Sequence, residues 1–142
     1  MQQTKNLMLV IVVMFISVLS VKAQNPHFIG RPAIQDNGNT LSFCAKIAGL
    51  GNSDMVTVVL STTATITTEC TNPGGNVAPG QTKTTTLTTS GEFMSDKNGS
   101  VTFCLNTAVP QPGKCPNGQW TGTVTDVSFS NSYVLVNGKR VR

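Results

Sequence analysis

Alternation of apolar and polar residues, repeated in one segment after another, most restricts what this 142-residue chain can fold into. Leu41, Phe43, Ala45 and Ile47 alternate with Ser42, Cys44 and Lys46. Val56, Val58, Leu60, Ala64 and Ile66 share one face of a long run ending at Cys70, and Thr57, Thr63, Thr65 and Thr67 take the other. Val101, Phe103 and Leu105 alternate with Thr102, Cys104 and Asn106, and further runs hold Trp120, Val124, Val127 and Phe129, then Tyr133 to Val136. Successive side chains on a strand point to opposite faces, so a period of two in β-branched sequence predicts half-buried antiparallel strands. No segment keeps a helical period. Turn signals separate the runs: Asn37-Gly38-Asn39, Gly49-Leu50-Gly51-Asn52, Asp96-Lys97-Asn98-Gly99, Ser130-Asn131-Ser132 and Asn137-Gly138. Seven or eight strands of this kind predict an all-β, antiparallel two-sheet sandwich, immunoglobulin-like in general architecture.

The N-terminus predicts the compartment. Lys5 precedes an apolar run from Leu7 to Leu19, and Ser20-Val21-Lys22-Ala23 supplies short residues before a cleavage point. This is the pattern of a secretory signal peptide, and the run is shorter than the roughly 20 residues that span a bilayer. Residues 1–23 are therefore expected to be removed, leaving 142 − 23 = 119 residues, 24–142, as a single secreted domain with no stable membrane insertion. Lys5 and Lys22 leave with the signal, so the formal charge falls from +4 to 8 − 6 = +2. The remaining cations are scattered, apart from Lys139, Arg140 and Arg142, which argues against a nucleic-acid partner.

Threonine is prominent in "TVVLSTTATITTECT" and "TKTTTLTT". Regular ice-binding ranks would need a repeated coil length, and the sequence has no such period. O-glycosylated stalks are usually proline-rich as well. Threonine on the wet face of a strand accounts for both segments.

All four cysteines lie beyond the signal, and an even number in an oxidising compartment predicts two disulfides. A zinc site finds no support, because there is no CxxC pair and His27 is the sole histidine. Leu41-Ser42-Phe43-Cys44-Ala45-Lys46 and Val101-Thr102-Phe103-Cys104-Leu105-Asn106 match position by position in character. Side by side, two such strands could meet cysteine to cysteine on the polar face while both phenylalanines fill the core. This favours Cys44–Cys104 and leaves Cys70–Cys115; a local Cys104–Cys115 bridge with Cys44–Cys70 remains the rival. With Cys70 tied to Cys115, the loop Thr71–Gln81 and the proline-rich loop Val109–Gly118 become one feature. The glycines of "ECTNPGGNVAPGQ" then serve a pinned turn. A phosphate loop would need a following helix with lysine and hydroxyl at fixed spacing, which the sequence lacks.

Four segments carry a resemblance: "KIAGLGN" (46–52), "ECTNPGGNVAPGQTK" (69–83), "SGEFMSDKNGSVTF" (90–103) and "CPNGQWTGTVTDVSFS" (115–130). They look like segments of a family of small secreted β-rich proteins of bacteria and fungi. The resemblance implies secretion and a β fold, and supports pairing Cys70 with Cys115, with Cys44–Cys104 as an addition in this chain. It implies no activity.

The residues do not assemble a recognisable catalyst. Asp36, Asp54, Glu69, Glu92, Asp96 and Asp126 form no carboxylate dyad by spacing. Asp126 stands out because alternation would set it beside Trp120 and Val124, although such a residue more often meets a cross-strand partner. His27 has no nucleophile motif near it, and there is no G-x-S-x-G elbow. Asn98-Gly99-Ser100 fits a glycosylation sequon and equally a hairpin tip. The expectation is a non-catalytic protein, with no cofactor and no metal, that binds an extracellular ligand (protein or glycan) through its joined loops. Asn72, Asn76, Gln81, Asn117, Gln119 and Trp120 are the candidate contact residues, although a place in the core is the favoured reading for Trp120. The alternative is a structural subunit of an extracellular matrix or filament, joined through edge strands or segment 25–34. A small secreted hydrolase ranks below both.

Overall fold

The computed structural model describes residues 25–51 and 55–142; the expected signal peptide, Asn52 of the first resembling segment and Asp54 lie outside them. Among the described residues there are eight strands: β1 (His27–Asp36), β2 (Leu41–Ala48), β3 (Met55–Thr71), β4 (Val77–Pro79), β5 (Lys83–Met94), β6 (Val101–Asn106), β7 (Thr121–Val136) and β8 (Lys139–Arg140). They form two antiparallel sheets. The smaller has the order β1-β2-β6. In the larger, β3 pairs with β7 along one edge, while β5 and then β4 share the other, and β8 adds to the end of β7.

The packing follows from the alternation. Every even-numbered residue of β3 from Val56 to Cys70 is buried, so one continuous face of this 17-residue strand turns inward. Its first half packs against the smaller sheet: Val56, Val58 and Leu60 share a core with Phe43, Ile47, Phe103 and Leu105. Phe43 stacks on Phe103 with ring centroids 6.3 Å apart, and Phe93 of β5 tilts against Phe103 at 5.8 Å. Each such buried side chain contributes on the order of 2 kcal/mol. The strands of the smaller sheet are too short to cover all of β3, and beyond Leu60 a second cluster of Ala64, Ile66 and Val127 forms with Leu87, Val124 and Phe129.

Thr57, Thr63, Thr65 and Thr67 take the outer face, as the alternation predicts, while Thr62 and Thr68 are buried on the inner one. Thr63 and Thr65 pair with Thr86 and Thr84 of β5 and with Ser130 and Ser128 of β7, so hydroxyls run across all three strands.

Two expectations about the last third of the chain need correction. Ser130-Asn131-Ser132 does not separate two strands; it is a bulge within β7, where Thr62 faces two residues because Ser61 pairs with Tyr133 and Thr63 with Ser130. Asn131 takes φ of 51°, a left-handed conformation that asparagine tolerates better than most residues. A second bulge sits at Thr125, between the pairs Thr67–Asp126 and Thr68–Val124. Each extra residue flips the parity of the strand. The inward positions therefore run Val124, then Val127 and Phe129, then Val134 and Val136. Asp126 consequently pairs with Thr67 on the exposed outer face and does not share a face with Val124.

Both favoured disulfides are present, Cys44–Cys104 and Cys70–Cys115. Cys44 and Cys104 are direct cross-strand partners in the β2–β6 ladder, between the phenylalanine-bearing inner positions.

Candidate functional site

The four sequence segments singled out above meet in pairs at two poles of the molecule. At one pole the Gly49–Gly51 turn lies against the 95–100 turn: the Leu50 N–H donates to the Gly99 carbonyl (3.0 Å), and Ser95 Oγ donates to the Gly51 carbonyl (3.2 Å). Asp96 Oδ1 accepts from the N–H groups of Asn98 and Ser100, so this tip is closed by its own side chain. Asn98 is exposed at the tip and Ser100 is buried.

The other pole is built on Cys70–Cys115. Cys70 is fully buried at the end of β3. The arm that leaves β6 is fixed at both ends. Thr107 Oγ1 accepts from the Leu41 N–H while the Thr107 N–H donates to the Leu41 carbonyl. At the far end the Gly113 N–H donates to Thr68 Oγ1 (2.6 Å), and the Lys114 carbonyl accepts from the Gln81 N–H (3.0 Å). Glycine is required by close approach here. A Cβ at Gly80 would lie 2.8 Å from Cys70 Sγ, one at Gly113 would overlap the Gln81 carbonyl, and one at Gly122 would press on Cys115 Sγ and Pro112. Of the glycines in the 69–81 loop, Gly80 is thus held against the sulfur bridge, whereas Gly75 serves the turn with a φ of 81°.

The six candidate residues divide by what their side chains already do. Asn72 Oδ1 accepts from the Asn76 N–H (2.8 Å), and Asn117 Oδ1 accepts from the Gln119 N–H (3.0 Å); both close their own turns. Asn76, Gln81 and Gln119 are exposed. Trp120 is half-buried and belongs to neither buried cluster; its backbone N–H donates to the Asn117 carbonyl. Thr71 pairs with both Val77 and Thr121, so the ladder brings the Asn72–Asn76 turn beside Trp120.

Of the six, only Gln81 lines two adjoining concavities of this pole. One, of about 360 Å³, lies among Pro79, Gly80, Gln81, Lys114, Cys115 and Pro116. Its neighbour, of about 260 Å³, is formed by Gln81, Thr82, Lys83, Pro112, Gly113 and Lys114. The two adjoin across the Gln81–Lys114 hydrogen bond. Sequence reasoning missed Lys83, Lys114 and the prolines. The available signal was the pairing of Cys70 with Cys115, which carries Lys114 and Pro116 to the Gly80–Gln81 corner. Among the described residues no group of three or more His, Cys, Asp or Glu side chains could hold a metal ion, and no helix is long and apolar enough to cross a membrane.

The chain matches no protein-family model, and neither a curated protein nor a solved structure shows significant similarity to it.

Proposed function

We propose that this is a secreted, non-catalytic β-sandwich that binds an extracellular ligand, a glycan or a protein, through the pole joined by Cys70–Cys115. The observation that supports the reading most is the pair of adjoining concavities around Gln81 and Lys114, seated on a disulfide and three tightly packed glycines. A recognition surface held rigid in this way loses little conformational entropy on binding. The two lysines and the Gln81 side chain offer donors, and Pro79, Pro112 and Pro116 offer apolar walls. Secretion is supported by the signal pattern of residues 1–23 and by two disulfides, which persist in oxidising compartments.

The test is a glycan array together with a pull-down of extracellular proteins, using residues 24–142 with both disulfides formed. Trp120, the sole tryptophan, provides a fluorescence reporter at the same pole. A ligand found this way should bind at least about tenfold more weakly to a Gln81→Ala/Lys114→Ala variant, the loss of one or two good contacts. Undiminished binding by that variant, with its melting temperature unchanged, refutes the assignment to this pole.

A further inference from the structure

Among the described residues the sandwich has four lateral strand edges, and three carry features that discourage another strand from pairing with them. The free edge of β1 is interrupted: its register with β2 shifts between Ile29 and Ala33, where Gly30 has φ of 76° and Pro32 lacks an N–H. The free edge of β7 carries two bulges and is capped at one end by β8. β6 has only six residues, too short an edge to template a long added strand.

The fourth edge, β5, is different. It pairs with β3 over twelve consecutive residues, Lys83 to Met94, without a register shift. On its other side no strand pairs with it among the described residues. From Thr84 to Ser90 it has no charge, proline or glycine, and Thr84, Thr86, Thr88 and Ser90 are exposed. Long regular edges without such interruptions are templates for strand addition.

We propose that β5 is the interface of a homodimer, in which a second copy of this chain adds its own β5 antiparallel about a two-fold axis at Leu87. Three features of the strand point to that partner. The unblunted stretch Thr84–Ser90 is centred on Leu87, so a two-fold axis there pairs it completely with itself. Leu87, half-buried against Ala64, Ile66 and Val127, then meets Leu87 of the second copy and loses its remaining exposure. Thr86 pairs with Thr88 and Thr84 with Ser90, extending the hydroxyl face without interruption. The direction follows from the axis: a two-fold at Leu87 pairs the strands antiparallel, and Lys83 then lies opposite Gly91, so no like charges face each other. The interface is isologous and closed, giving a continuous sheet through both molecules and no filament.

Sedimentation equilibrium on oxidised residues 24–142 tests this directly. The expected result is a concentration-dependent monomer–dimer equilibrium. In the Thr86→Lys/Thr88→Lys variant, each lysine faces a lysine across the axis, and the dimer should weaken by about tenfold or more. Both sites are exposed in the monomer, so its melting temperature should not change. Mixing that variant with Thr86→Glu/Thr88→Glu should restore dimers of mixed composition. A protein that stays monomeric at about 1 mM, where even weak interfaces are populated, overturns the proposal. So does an open-ended polymer, or a dimer indifferent to both pairs of substitutions.

Discussion

A methyl group at Gly113 has nowhere to go. Its Cβ would overlap the Gln81 carbonyl and crowd Thr68 Oγ1, the atom that accepts the Gly113 N–H. Both neighbours are fixed, Gln81 by its hydrogen bond to Lys114 and Thr68 by its buried place on β3. Gly118, five residues away, has open space where its Cβ would stand and no positive φ. Gly113→Ala should therefore cost about 2 kcal/mol by overpacking, and Gly118→Ala should be close to neutral. Urea unfolding of the two variants makes the comparison, and equal stabilities would mean that the arm does not sit tightly on β3. The contrast cannot be read from the sequence, where "PGK" and "NGQ" look alike as turn glycines. Composition identifies a glycine-rich loop, and only the fold separates glycines needed for space from those tolerated at a turn.

At the scale of the strand, legibility depends on how strictly the pattern keeps its period. β2, β3 and β6 keep one parity throughout, so their inward faces follow from the sequence and Cys44–Cys104 is the favoured pairing, which the structure selects over its rival. β7 changes parity twice, and that made one strand look like two and misplaced Asp126. A bulge adds one residue on one side of a ladder, and a single sequence contains no record of the partner strand against which it is counted. β1 was also obscure, because Gly30 and Pro32 interrupt it and most of its residues are exposed. The bulge at Asn131 is what allows Phe129 and Val134 to face inward on the same strand. Deleting Asn131 removes the parity change, so either Val127 and Phe129 or Val134 and Val136 must turn outward. Losing two inward side chains should cost about 3 kcal/mol or more, measured as a fall in the denaturation midpoint. Asn131→Gly keeps the count and suits the left-handed φ, so it should be neutral or slightly stabilising. A deletion variant as stable as the parent would show that β7 can re-register without penalty.

For the whole molecule, the two disulfides do different work, and loop length alone ranks them wrongly. Cys44–Cys104 spans 60 residues and Cys70–Cys115 spans 45, so chain entropy gives each about 4 kcal/mol, with a slight advantage to the longer loop. Their surroundings are unequal. Cys104 is exposed on the outer face of the smaller sheet, where β2 and β6 remain joined by their ladder and by Phe43 stacked on Phe103. Cys70 is fully buried, and its bridge holds the arm that lies against Thr68 and Gly122 beyond the reach of the smaller sheet. Without it, the inner face of β3 at that end is closed chiefly by hydrogen bonds from Gly113 and Gln81. Cys70→Ala/Cys115→Ala should therefore destabilise the protein more than Cys44→Ser/Cys104→Ser, reversing the order set by loop entropy, and it should also lower affinity for any ligand held at the Gln81–Lys114 groove. Mild reductant should open Cys44–Cys104 first, because its cysteines are the less buried pair, and full reduction should lower the melting temperature strongly. If the Cys44–Cys104 variant proves the less stable of the two, the arm is not what closes the long sheet, and the rigidity ascribed to the binding pole falls with it.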